Sequence, residues 1–197
     1  MNLLFLAIAP VTVVILYIYF KDKYEKEPIK IVVISFLLGA TVSIILTFTL
    51  GYIASSLVPL IDVKSVSQQF IKAFFTVALV EEFSKYIIVR FYAQKNKEFN
   101  EPFDGIVYAV MVSMGFAALE NILYTFQYGF GVGFTRAFTA VPAHATFGII
   151  MGYFMGKAKF SNNSIKLNLL GLLFATLFHG SYDFFLFINF IPGIYIG

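Results

Sequence analysis

The sequence predicts an all-α fold, a polytopic transmembrane bundle of about six helices forming one integral-membrane domain over residues 1–197. Three observations predict it. Hydrophobic residues make up 59% of the chain and its mean hydropathy is +0.84. A soluble domain of this size could not hide so much apolar surface, so lipid must cover it. Charged residues amount to only 13%. Finally, apolar runs of spanning length alternate with connectors too short to hold a soluble domain.

The first run, residues 2–20, has no basic stretch before it and no small-residue cleavage site after it. The chain turns basic in "KDKYEKEPIK", which suits an uncleaved anchor rather than a signal peptide. Further spans are expected at about 31–58, 69–92, 104–128, 134–156 and 167–190. Their connectors are "PLIDVKSVSQ", "QKNKEFNEPF", a glycine-rich "YGFGVGF" and "KAKFSNNSIK". No internal repeat is visible. The chain closes on "IPGIYIG", where room is left for a seventh span.

Lysine and arginine set the expected orientation. The first, third and fifth connectors with their flanks carry Lys21, Lys23, Lys26, Lys30, Arg90, Lys95, Lys97, Lys157, Lys159 and Lys166, whereas the second and fourth carry only Lys64, Lys72 and Arg136. The odd connectors are therefore expected in the cytoplasm, with the N-terminus outside a multi-pass protein of the cell membrane. The net charge of +3 is small, its basic residues lie in short loops, and nucleic-acid binding is not expected. With no cysteine, thiolate metal sites and a cysteine nucleophile are excluded.

Seven ionisable residues remain inside the spans: Glu81, Glu82 and Lys85 on the third, Glu120 on the fourth, His144 on the fifth, and His179 with Asp183 on the sixth. Each charge at the bilayer centre costs roughly 2.5–3.5 kcal/mol even on lenient insertion scales. They should face the bundle interior, in a band from mid-membrane toward the outer side. His144 opens the series His144, Gly148, Gly152, Gly156, and His179 closes the series Gly171, Ala175, His179, Asp183. Small residues at that spacing mark close helix packing, which points both seams inward.

Taken singly, each group has a structural explanation. Lys85 lies one turn from both glutamates and can hold an ion pair. His179 and Asp183, at i and i+4, can be a hydrogen-bonded pair, and Glu120 a buried polar contact beside Asn121 and Tyr124. Arg136 and Asp104 fall near helix ends, Asp104 in an N-terminal cap. Together, at one depth on four helices, they point to a reactive site.

"GxSxG" and "HExxH" are absent, which removes the usual serine-hydrolase and zinc-protease motifs. Carboxylates and imidazoles remain, the groups that activate water. One member of the Glu81–Glu82 pair can take a proton from water, and its partner or a histidine can return it to a leaving amine. Glu82 is favoured as the base over Glu81, with Lys85 tuning the pair. Alternatively His144 and His179, with Glu120 or Asp183, could hold a divalent metal such as zinc. Two rivals use the same residues: a transporter or proton relay, and a non-catalytic scaffold that binds a partner helix.

"VEEFSKY", "EPFDGIVYA", "GFAALENILY", "VPAHATFGIIMGYFMGKAK" and "FHGSYDF" resemble, in order, the successive motifs of PrsW-type bacterial membrane proteases. The likeness covers nearly the whole chain, and the family is similar in outline to the CAAX-protease and bacteriocin-processing superfamily. The resemblance implies an intramembrane protease that makes the first, site-1 cut in a single-span anti-sigma factor during a stress response. It carries the family's paired glutamates onto Glu81 and Glu82, its later glutamate onto Glu120, and its histidine motifs onto His144 and His179, with Asp183 closing the last.

Overall fold

The computed structural model describes residues 2–23 and 25–190. Among them every regular element is helical. Helix α1 is Leu3–Lys21 and α2 is Ile29–Leu57, the latter passing through a π-helical turn at Gly39–Ser43. Helix α3 joins Val66–Ile71, a π-helical stretch Lys72–Ala78, and Leu79–Phe91. Helix α4 is Pro102–Tyr128, α5 is Phe130–Phe138, α6 is Ala140–Lys159 and α7 is Ser164–Phe187. The closing "IPGIYIG", and any seventh span after it, lie outside the described residues.

Five segments are long and apolar enough to cross a membrane: α1, α2, α4, the α5–α6 run Phe130–Lys159, and α7. Helix α3 is the exception, because it carries Lys72, Glu81, Glu82, Lys85 and Arg90. Those charges also locate the site.

Helix α4 is the axis. Val107, Val110, Met111, Val112 and Met114 have no exposed surface, while α1, α2 and α7 turn side chains such as Phe5, Phe48, Leu169 and Phe178 outward. In water such an apolar exterior would be a liability; against acyl chains it is the expected surface. Close approach replaces hydrophobic burial as the packing device. A Cβ on Gly156 would collide with the Pro102 carbonyl and one on Gly152 with the Gly105 carbonyl, so the seam read from His144 onward packs onto α4. Gly171 faces Met151, Phe154 and Met155 of α6.

One expected connector is helical. Within "YGFGVGF" only Gly129 breaks the chain, at φ +85°, a left-handed conformation suited to glycine. Helix α5 then starts at Phe130. An apolar segment at membrane depth has no water to satisfy its amides, so its backbone is driven into a helix despite its glycines. A second break at Thr139 separates α5 from α6.

The basic-connector end of the bundle is closed by polar ties. Gln94 donates to the Met155 carbonyl at 2.7 Å and to Asn168 Oδ1 at 2.8 Å, binding the end of α3 to α6 and α7. Pro102 starts α4 behind a capping box in which Asp104 accepts from the Glu101 amide at 2.8 Å. The cap read at Asp104 is present.

Candidate active site

All seven intramembrane ionisable residues belong to one connected set. On α3 the π-helical stretch forms wide turns that re-phase the residues after it, a feature frequent at functional positions. Glu81, Glu82 and Lys85 follow on its inner side and are buried. Helix α4 supplies Glu120, α6 His144, and α7 both His179 and Asp183.

Lys85 Nζ lies 2.6 Å from Glu82 Oε1 and 3.8 Å from Glu81 Oε2. It also reaches His144 Nδ1 at 3.2 Å, and sits 4.3 Å above the centre of the Phe116 ring. An ammonium has only protons to offer, so Nδ1 of His144 accepts. Its proton is then on Nε2, which donates to Glu120 Oε2 at 2.8 Å. His179 is turned the other way. Its Nδ1 donates to Glu82 Oε1 at 2.8 Å, while Nε2 faces Asp183 Oδ2 at 3.4 Å and Glu81 Oε2 at 3.9 Å. The two imidazoles meet edge to face at 5.4 Å, and Phe147 stacks on His179 at 4.7 Å. Both rings are held from two sides.

The two glutamates of α3 differ in place. Glu82 is fully buried and engages both Lys85 and His179 through one oxygen. Glu81 lines a cavity of about 350 Å³ together with Glu120, Arg136, His144, His179 and Asp183. The cavity rises past Lys72, Tyr124, Ala140 and Leu186, toward the end of the bundle opposite the basic connectors. Glu81 Oε2 is buried with no hydrogen-bond partner among the described residues. The sequence favoured Glu82 as the base; the geometry presents Glu81 to the cavity and puts Glu82 behind the histidine.

The metal grouping read from sequence also shifts. The donor atoms that converge, all within 4.8 Å of one another, belong to Glu81, His144 and His179, not to Glu120 with the histidines. Glu120 is drawn aside by Arg136, whose Nη2 lies 2.9 Å from its Oε2. Two imidazoles and a carboxylate are a familiar set for a catalytic divalent ion. His179 has its outer nitrogen facing two carboxylates, an arrangement that favours a proton or a metal ion between them. Glu82 behind Nδ1 completes the carboxylate–histidine pairing that steadies a ligating ring.

Arg136 was expected only to mark a helix end. Instead it pairs with Glu120, donates from Nε to Asn121 Oδ1 at 3.0 Å, and stacks over Tyr124 at 4.2 Å. Asn121 in turn donates to the Ala7 carbonyl at 2.9 Å, bringing α1 into the support of the site. Phe147, Tyr182 and Lys72 were missed as well. The available signal for Arg136 was a lone arginine just after an apolar, glycine-spaced stretch, legible once the helix is taken to start at Phe130 rather than at 134.

Comparison with known proteins agrees with this geometry. Residues 27–196 match the model of the PrsW family intramembrane metalloprotease. Protease PrsW of Oceanobacillus iheyensis is 42% identical over 187 residues, covering 94% of this chain and 83% of that protein. Protease PrsW of Geobacillus kaustophilus is 39% identical over 197 residues, 100% of this chain and 84% of the relative. Protease PrsW of Bacillus subtilis is 39% identical over 182 residues, 91% and 80% of the two chains. No solved structure matches. A bundle of membrane-spanning helices enclosing carboxylates and imidazoles, matched over nearly its whole length by proteases of one kind, is a peptidase of the bilayer: the chain belongs to the PrsW family of intramembrane metalloproteases.

Proposed function

We propose that this peptidase makes the first cut in a single-span anti-sigma factor, hydrolysing a peptide bond toward the outer side of the membrane with glutamate-activated water. The substrate class is what the motif resemblance implies, and relatives named Protease PrsW support the protease activity. The outer position is supported by the lysine and arginine distribution, which favours an extracytoplasmic cavity mouth. The observation that carries the chemistry is Glu81: a carboxylate lining a cavity of about 350 Å³, one oxygen unpartnered among the described residues, beside His179 Nε2.

In this reading Glu81 takes a proton from water as the oxygen attacks the scissile carbonyl, and the carbonyl electron pair moves onto its oxygen. Arg136, which lines the cavity with its Nη2 on Glu120, is the cationic donor nearest that oxyanion. Glu81 then passes its proton to the nitrogen as the carbon–nitrogen bond breaks. Lys85 and Glu82 stay behind, fixing the orientation of both histidines.

The convergent donors and the family's description favour a second reading in which Glu81, His144 and His179 would hold a divalent ion. When bound, such an ion polarises a carbonyl and acidifies water. Glu120, the other glutamate on the cavity wall, is then the proton acceptor.

Both readings need Glu81. The test is cleavage of a co-reconstituted single-span anti-sigma factor by Glu81→Gln at matched folded protein. Loss of the cut is expected; cleavage at the wild-type rate would defeat the proposal.

A further inference from the structure

The catalytic cavity has a second approach, from the side. A groove of about 530 Å³ runs between α2 and α3, lined by Thr47, Phe48, Gly51, Tyr52, Thr76 and Val80 among others, and it ends on Glu81. Lys72, Val77 and Glu81 line both this groove and the cavity that holds the histidines. Away from the site it continues through Ser55, Lys72 and Thr76 into a smaller recess beneath Val58 and Leu60, at the α2–α3 connector. A single furrow thus leads from the membrane face to Glu81.

The walls of the furrow differ from the rest of the bundle. Over Ile44–Leu57, α2 buries only Ile44, so its outer half stands off from its neighbours. The facing wall is the π-helical stretch of α3. Hydroxyls interrupt the mainly apolar lining at Thr47, Ser55 and Thr76, and its charged groups are Lys72 and, at the site, Glu81. Thr41, Thr49 and Ser56 return their hydroxyls to the carbonyl four residues back. Thr47 Oγ1, in contrast, is buried without a hydrogen-bond partner among the described residues.

We propose that this furrow is the docking site for the apolar membrane-spanning segment of the protein substrate, which it delivers to Glu81 in locally extended form. The inference rests on the peptidase reading above and names how its substrate arrives. A peptide bond inside an intact helix has its carbonyl hydrogen-bonded and its backbone wrapped by side chains, so the segment must open before water can attack. Opened backbone in lipid costs several kcal/mol for each unsatisfied group. A furrow that is mainly apolar but also presents hydroxyls meets both needs, taking up the side chains and hydrogen-bonding the exposed amides. Its continuity with the cavity brings the opened stretch to the one carboxylate that both share.

Gly51 makes the idea testable without disturbing the fold. A Cβ there meets nothing within 4 Å, so Gly51→Leu fills the furrow rather than the core, and it replaces a weak helix former by a strong one. Gly131 on α5 is equally open and serves as a control outside the furrow. Each protein is reconstituted in vesicles with a single-span substrate, and separately given a short water-soluble peptide containing the same scissile bond. Gly51→Leu is expected to slow cleavage of the spanning substrate by about tenfold or more, leave the soluble peptide within twofold, and differ in this from Gly131→Leu. In parallel, because the chain has no cysteine, Ser55→Cys and Gly131→Cys in the Glu81→Gln background report directly where a cysteine-bearing substrate span sits. A disulfide at position 55 and none at 131 supports the proposal. Unchanged cleavage by Gly51→Leu, equal slowing of both substrates, or crosslinking at 131 instead of 55 overturns it and leaves a lipid as the occupant. Wild-type protein that cuts neither substrate would instead count against the peptidase reading.

Discussion

The molecule buries two clusters of carboxylates, and they are built on opposite terms. In the membrane, Glu81, Glu82, Glu120 and Asp183 are interleaved with Lys85, Arg136 and two histidines, and the set opens into a cavity. At the basic-connector end, Asp22, Glu27, Glu101 and Asp104 gather around the start of α4. There Tyr108 donates to Glu27, and Asp104 accepts from the Asn100 and Glu101 amides at 2.7 and 2.8 Å. Burial, with Asp104 beside it, pushes the Glu27 carboxyl up to about 9, and burial raises Asp22 and Glu101 as well. Glu27 therefore keeps its proton at neutral pH and acts as a hydrogen-bonding plug. The first cluster interleaves its acids with cations and imidazoles and faces a cavity; the second, with Glu27 protonated, ties loops to a helix end. Burial of acids alone thus does not mark a reactive site. Cationic partners, imidazoles and access to a cavity do.

The comparison breaks first at activity. Glu82→Gln or His179→Ala should lower cleavage of a spanning substrate by roughly a thousandfold, the scale of losing a proton-transfer or positioning group, whereas Glu27→Gln should stay within about twofold. Equal effects at both clusters would erase the distinction. Removing divalent ions comes next and separates the two readings: an ion held by Glu81, His144 and His179 predicts loss of cleavage on chelation and recovery on adding zinc or another divalent ion. Cleavage that survives chelation would leave Glu81 as the base without an ion. Arg136→Gln should cost about a hundredfold in kcat with little change in substrate binding, the signature of a donor to developing charge.

Smaller effects sharpen the other cluster. Asp104→Ala removes the cap of α4 and should destabilise the detergent-solubilised protein by about 1 kcal/mol or more, with the rate per folded molecule unchanged. Glu27 sets a pH signature. Its folded value is raised from 4.5 to about 9, so the folded state holds the proton more tightly. The stability this contributes is complete below about 4.5 and is lost as pH rises through about 9. Melting temperature should fall across that window, and Glu27→Gln, which stays neutral, should flatten the slope.

Much of this was legible in the sequence. Six helical stretches, the seven ionisable residues and their shared depth came from hydropathy and from the cost of charge in lipid, and the glycine series named the faces of α6 and α7 that pack inward. Some features could not be read this way. Whether Glu81 or Glu82 meets the cavity depends on helix phase, which the π-helical stretch before them resets, and periodicity assumes a regular helix. Arg136 reads as marking the end of the 134–156 span because the glycines just before it suggest a loop, although the helix already starts at Phe130. The capture of Glu120 by Arg136, which leaves Glu81 as the third convergent donor, is a contact between chain segments 16 residues apart that no local pattern encodes.

The most direct test of a single site is a double-variant cycle on Glu81 and His179, scored as cleavage of the reconstituted spanning substrate. If the two side chains act as parts of one unit, the Glu81→Gln, His179→Ala protein should be no slower than the worse of its single variants. Losses that multiply, or either single variant near the wild-type rate, would contradict the account.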